Sequence, residues 1–254
     1  MIDLSPPTAP RLQPAALTLA DIGAALASGW RQFAVAPLLS MGFAGVFVVL
    51  GAILFALIEA LAIAPISLSF AAGFMLIGPA LLAGFFAVSD RVRDGQKPEV
   101  AHIWQGFRKL PRGGWVVSFV CALLFLIWIT DAGTLYGFMI GREPTAFARL
   151  LQAEESVQRF LFYSSLMGAV LAFIIFTVSA FSIPLIYDRR ADLVSGVVAS
   201  VRAVFGRFAV IMAWACLLAS VIIVSAVLLP LLVVALPVMA YASRALYFRV
   251  FPPH

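Results

Sequence analysis

Six apolar runs set what this chain can become: about Ala34–Leu57, Ile66–Ser89, Trp115–Ile140, Leu161–Tyr187, Phe208–Leu229 and Leu231–Phe248. A hydrocarbon core of about 30 Å is crossed by about 20 helical residues rising 1.5 Å each. The first five runs reach that length. The sixth is shorter and begins after Pro230. Because Pro230 and Pro237 each remove a helical hydrogen bond, residues 208–248 read either as a tight hairpin or as one long kinked helix. Only 11% of the residues are charged and 63% are hydrophobic, against about 25% charged in a soluble domain. Such a chain cannot cover its apolar surface with polar groups in water. The expected fold is an all-α polytopic membrane protein of about six transmembrane helices, with amphipathic interfacial helices on the cytoplasmic side.

Charge placement orients it. Arg11 and Arg31 precede the first run, six basic residues from Arg91 to Arg112 separate the second from the third, and four from Arg189 to Arg207 separate the fourth from the fifth. Arg244 and Arg249 lie at the C-terminal end. With alternating spans these fall on one side, leaving Arg142, Arg149 and Arg159 among Glu143, Glu154 and Glu155 on the other. Excess Lys and Arg mark the cytoplasmic side, so both termini are expected there and the number of spans is even. Residues 1–17 hold four prolines and no apolar signal-peptide core; they read as a disordered cytoplasmic tail ahead of a single membrane domain over 18–250. The net charge of +5 fits anionic lipid headgroups. No basic and aromatic surface separable from the membrane-facing helices speaks for nucleic acid.

Ahead of the first run, Leu19, Ile22, Leu26, Trp30 and Phe33 recur at spacings of three and four, one apolar stripe on a helix. Thr18 with Asp21 three residues on is a start signal for it. The helix is too short and interrupted to span; it reads as interfacial, with its stripe in the acyl boundary and Arg31 at the phosphates beside Trp30. The pattern returns when Arg31 is aligned with Arg108 and Arg202. Gly29 then pairs with Gly106 and Ser200, and Phe33 with Leu110 and Val204. The suggested unit is an interfacial helix followed by a transmembrane hairpin, three times over: 18–89, 98–187 and 190–249. Each of the three arginines is expected to contribute about 1 kcal/mol of attraction to an anionic leaflet.

Few residues suggest chemistry. Asp131 lies inside the third apolar run, and an intramembrane acid is a candidate ion or proton site. Equally, it reads as an acid near the outer headgroups, reached by water or paired with Arg142 or Arg159. Gly133, Gly137 and Gly141 follow it at intervals of four, a face on which another helix can pack closely. Cys121 and Cys216 read as two small buried hydrophobes. His102 and His254 are not placed to ligate a metal or haem inside the membrane, and no HExxH, GxSxG or GxxxxGK[ST] motif is present. No cofactor, metal or enzymatic activity is expected. Ser179 and Ser182 read as bonding their own helix backbone.

The segments "LADIGAALASGWRQFAVAPLL", "LIGPALLAGFFAVSDRVRDGQ" and "VSAFSIPLIYDRRADLVSGVVASVRAVF" together resemble an uncharacterised family of bacterial integral membrane proteins, a domain of unknown function (DUF2189). The resemblance extends over roughly 18–250. It implies a bacterial inner-membrane location and about six spans, and carries over no catalytic residue. The functional expectation is an accessory or scaffold component of a larger membrane assembly, a respiratory one among them; the alternative is a small-solute or ion transporter or channel using Asp131. The topology is testable: reporter fusions at His254 and after Gly141 should report opposite compartments, and a periplasmic C-terminus would remove the sixth span.

Overall fold

The computed structural model describes residues 12–60, 78–140 and 155–253. They form α1 (Leu19–Val35), α2 (Pro37–Ala60), α3 (Gly78–Arg93), α4 (Val100–Lys109), α5 (Arg112–Met139), α6 (Glu155–Ser179), α7 (Ser182–Tyr187), α8 (Leu193–Gly206), α9 (Phe208–Val227) and α10 (Leu229–Val250). Among the described residues the fold is all-helical. Four segments are long and apolar enough to cross a membrane: α5, α6 with α7, α9 and α10. The pair α1 and α2, bent by 102° at its break, makes a fifth if counted as one span. The expected count of six is thus not reached by the described residues, since the second apolar run enters them only at Gly78. The ambiguity at 208–248 resolves as a hairpin. Leu228, at φ −109° and ψ 71°, breaks the helix, and Ile211 and Trp214 of α9 pack in one cluster with Ala242 and Leu246 of α10. Pro230 sits in the first turn of α10, where a missing N–H costs nothing.

Helices form over all three segments expected at the membrane surface, and in each a side chain three residues in bonds the N-cap backbone amide. Thr18 N–H and Oγ1–H both donate to Asp21 Oδ2, at 2.9 and 2.7 Å, and these bonds hold the Asp21 carboxyl below its ordinary pKa. In α4, Glu99 N–H donates to His102 Nδ1 at 2.9 Å. In α8, Ser195 N–H donates to Asp192 Oδ1 at 2.8 Å and Asp192 N–H to Ser195 Oγ at 3.1 Å. One amide at the start of α1 and of α4, and two at the start of α8, are thereby satisfied.

The aligned column of small residues proves to be the place where each surface helix meets a span. A Cβ on Gly29 would lie 2.6 Å from Val238 O and 2.8 Å from Ala242 N of α10. A Cβ on Gly106 would overlap Ala83 O and lie 2.9 Å from Ala87 Cβ of α3. Ser200 Oγ donates to Thr177 O at 2.7 Å and accepts from Phe181 N–H at 3.2 Å, joining α8 to the break between α6 and α7. In the paired column Phe33, Leu110 and Val204 are all buried.

These contacts shift the repeat. Chain order groups each surface helix with the hairpin that follows it, whereas packing groups it with a span that precedes it: α4 on α3, and α8 on α6 and α7. Among the described residues no span precedes α1, and it packs on α10, the last described helix. The arrangement closes into a ring. Ala15 N–H donates to Val250 O at 2.8 Å and Leu17 is buried, so of the tail expected over 1–17, residues 12–17 lie against the C-terminal helix. Residues 1–11 lie outside the described residues. The apolar stripe of α1 is therefore divided. Ile22 and Phe33 are buried against the bundle, and Leu19 and Trp30 stay exposed at its edge.

Two glycines on α1 separate close packing from helix propensity. Gly23 has open space around it, so Gly23→Ala should raise stability by up to about 1 kcal/mol through helix propensity. Gly29→Ala should lower it by about 1–3 kcal/mol, because the added methyl meets backbone that has no room to yield. Thermal unfolding of the two variants in detergent, side by side, checks both signs.

Candidate functional site

The second and fourth runs end in a common geometry. At the end of α3, Gly95 adopts φ +72°, with Gly95 N–H bonded to Val92 O at 3.1 Å and Gln96 N–H to Arg91 O at 2.9 Å. At the end of α7, Arg189 adopts φ +56°, with Arg189 N–H bonded to Ile186 O at 3.0 Å and Arg190 N–H to Leu185 O at 2.9 Å. Both are Schellman closures, and a non-glycine residue in that left-handed position costs roughly 1 kcal/mol. They fix where the last turns of α3 and α7 stop, and so where Asp90 and Asp188 are held.

Between those carboxylates lies Arg244 of α10, 1% exposed. Its Nη2 donates to Asp90 Oδ1 at 3.0 Å and to Asp188 Oδ1 at 2.5 Å. Four rings surround the guanidinium, with centroids 4.6 Å (Phe248), 5.0 Å (Phe86), 5.2 Å (Tyr247) and 5.3 Å (Tyr187) from its carbon. The ring faces attract a desolvated cation. Further cations stand around the pair: Lys109 Nζ is 3.8 Å from Asp90 Oδ2 and Arg93 is 4.0 Å from Oδ1. Lys109 also sits over Tyr187 at 4.7 Å and Arg93 over Phe248 at 4.1 Å. Arg190 donates to Phe251 O at 2.7 Å and Pro252 O at 2.8 Å, capping the exit of α10. Arg249 pairs with Asp21 at 2.7 Å.

This constellation joins the ends of three apolar runs at one end of the bundle. It holds no nucleophile beside a base. Its central cation is an arginine, which does not release its proton in a protein, so it is no proton relay. Its chemistry is cohesion: a buried charge that accepts one arrangement of three helices. Burying the ions costs several kcal/mol each and the pairing does no more than offset that cost, whereas removing one partner strands the other.

Sequence reasoning counted Arg244 only among the basic residues that mark a membrane side. The overlooked signal was its position inside the run Leu231–Phe248, where a charge needs a partner. The residues it did single out are placed elsewhere. Arg31, Arg108 and Arg202 are exposed, one on each surface helix, and Trp30 is 56% exposed. Asp131 is exposed on α5 and lines an open apolar groove with Thr134, Phe138 and Tyr163. Gly133 and Gly137 have nothing within 4 Å of an added Cβ among the described residues, so no described helix occupies that face, and Gly141 lies outside the described residues. The close approach between α5 and α6 falls instead at Gly168, where a Cβ would lie 2.5 Å from the Trp128 indole. Ser179 bonds Ile175 O of its own helix, whereas Ser182, at the start of α7, bonds Val178 O of α6 across the break. Cys121 is buried, but Cys216 is exposed, because it lies on the peripheral helix α9.

Residues 66–188 match the family described as "Predicted integral membrane protein (DUF2189)". Over that segment the resemblance read from the sequence holds, and the protein is an integral membrane protein with several apolar helices. The match takes in Asp90 and ends on Asp188, so both carboxylates lie within it and Arg244 does not. No curated protein and no solved structure matches the chain.

The cluster makes a definite energetic claim. Arg244→Gln should destabilise the folded protein by up to about 3–5 kcal/mol, since two partly buried carboxylates lose their shared buried cation. Replacing all three charges, with Asp90→Asn, Asp188→Asn and Arg244→Met, should recover much of that loss. Denaturant or thermal unfolding in detergent of the single and triple variants gives the comparison.

Proposed function

We propose that the protein is a non-enzymatic accessory or scaffold subunit that packs against other membrane proteins. The observation that carries this reading is the orientation of α5. Asp131, the acid that a carrier would need inside the bundle, is exposed on its outside, and no hydrogen bond or ion pair reaches it among the described residues. On the same helix Gly133 and Gly137 leave open space that no helix among the described residues fills. Small residues that let backbones approach closely drive helix association in lipid, where the hydrophobic effect supplies none. The other charges near the spans, on Arg244, Asp90 and Asp188, are committed to one another and are not free to coordinate a passing solute.

The reading includes a bacterial inner membrane with both termini on the cytoplasmic side. Its support is the gathering of Arg93, Lys109, Arg190 and Arg249 near Val250 and Pro252, at the end where the first described residues meet the last. The surface arginines Arg31, Arg108 and Arg202 would then face anionic headgroups. Transport through Asp131 is the second reading. It is favoured by the groove that Asp131 lines between α5 and α6 beside Thr134 and Tyr163.

One pair of variants separates the two. For a scaffold, Gly137→Leu should reduce the size of the complex purified in mild detergent and abolish function, while Asp131→Asn should be silent, an exposed charge contributing little. For a carrier, Asp131→Asn should abolish function at unchanged protein level and complex size. That second outcome would sink the scaffold reading.

A further inference from the structure

A recess of about 580 Å³ opens where α1, α3 and α10 meet at the charged end of the bundle. Arg31 of α1, Arg93 of α3, and Arg244 and Arg249 of α10 line it, and no carboxylate does. Ser28, Gln32 and Ser89 add polar groups. The last three bond one another: Ser89 Oγ donates to Gln32 Oε1 at 2.5 Å and Gln32 Nε2 to Ser28 Oγ at 3.2 Å, which holds that wall in place.

The charges do not cancel. Arg249 has Asp21, Arg244 has Asp90 and Asp188, and Arg93 reaches only Asp90, at 4.0 Å and in competition with Lys109. Arg31 has no carboxylate within reach among the described residues. Three acids therefore face five cations. At the back, Arg244 is 1% exposed, and its Nε and Nη1 have no hydrogen-bond partner. The rings around it stabilise its charge but are poor acceptors for two buried N–H groups. A concave, partly desolvated site with a surplus of guanidinium donors suits an oxyanion, and arginine forks match the geometry of phosphate.

We propose that this recess binds a phosphate-bearing anion, with Arg31, Arg93 and Arg249 as direct donors and Arg244 as the fixed positive wall behind them. The shared chemistry is a phosphate monoester or diester, presented either by an anionic phospholipid headgroup or by free phosphate. The site goes beyond the scaffold reading and stands independently of it, because binding is measured on the isolated protein without any partner.

The test uses the full chain in detergent, with the variant pair Arg31→Gln and Arg93→Gln against the pair Arg108→Gln and Arg202→Gln. Both remove two exposed arginines, but only the first removes them from the recess. In one arm, native mass spectrometry follows retention of phosphatidylglycerol against phosphatidylcholine. In the other, thermal unfolding is followed while inorganic phosphate is titrated against chloride at equal ionic strength. Lipid retention weakened roughly tenfold or more in the recess pair, and clearly less in the other, supports the site with a headgroup as its ligand. A phosphate-dependent rise in Tm confined to proteins with an intact recess supports it with free phosphate. Equal losses in both pairs, or no anion preference in either arm, overturn it. Both pairs should retain the elution volume of the unmodified protein, since the substituted side chains are exposed.

Discussion

A guanidinium withdrawn from water needs its counter-charge within hydrogen-bonding distance, and this requirement, met at Arg244, organises the charged end of the molecule. Asp90 arrives from α3 and Asp188 from α7, and each is held near the end of its helix by a left-handed closing residue, Gly95 in one case and Arg189 in the other. Aromatic side chains from the same three helices fill the volume around the ion pairs and exclude water. A slide of one residue along any of these helices would turn an ionic group about 100° away, so the charges fix the register of an otherwise apolar interface. Their worth is in selecting one packing more than in net stability.

Backbone proximity is the second constraint. Gly29, Gly106 and Ser200 occupy the same place in three short helices, and in each the absence of a bulky side chain brings the helix onto a span. In the first two the span presents backbone, which leaves no room for a Cβ. In the third, a serine hydroxyl replaces close contact with two hydrogen bonds. Position is shared while chemistry differs, as expected when one packing geometry is met by different sequences.

Much of this was legible in the chain because the determining signals are local. A cap with its partner three residues away fixed the start of α1, and runs of apolar residues marked most helices. The column Gly29, Gly106 and Ser200 was visible by alignment, although which surface it met was not. What stayed hidden depended on residues far apart. Arg244 is 154 positions from Asp90 and 56 from Asp188, and nothing in "YASRALYF" names either partner. The glycines after Asp131 showed where a helix could approach, whereas the contact made within the chain, Gly168 on Trp128, depended on which side of α5 turned inward. Cys216 looked buried because its neighbours are apolar, but in a membrane protein apolar neighbours also mark the side that faces lipid.

The ring closure of α1 on α10 constrains the order of events during synthesis. α1 is made before α10, on which it docks, so its buried face, with Ile22, Ala25, Gly29 and Phe33, has no seat until α10 has been synthesised. In the interval that face can rest only on lipid or on another protein. Asp90 and Asp188 likewise wait for Arg244, and must remain hydrated until α10 inserts. A chain halted before α10 would thus expose an unpaired amphipathic helix beside two acids deprived of their shared cation.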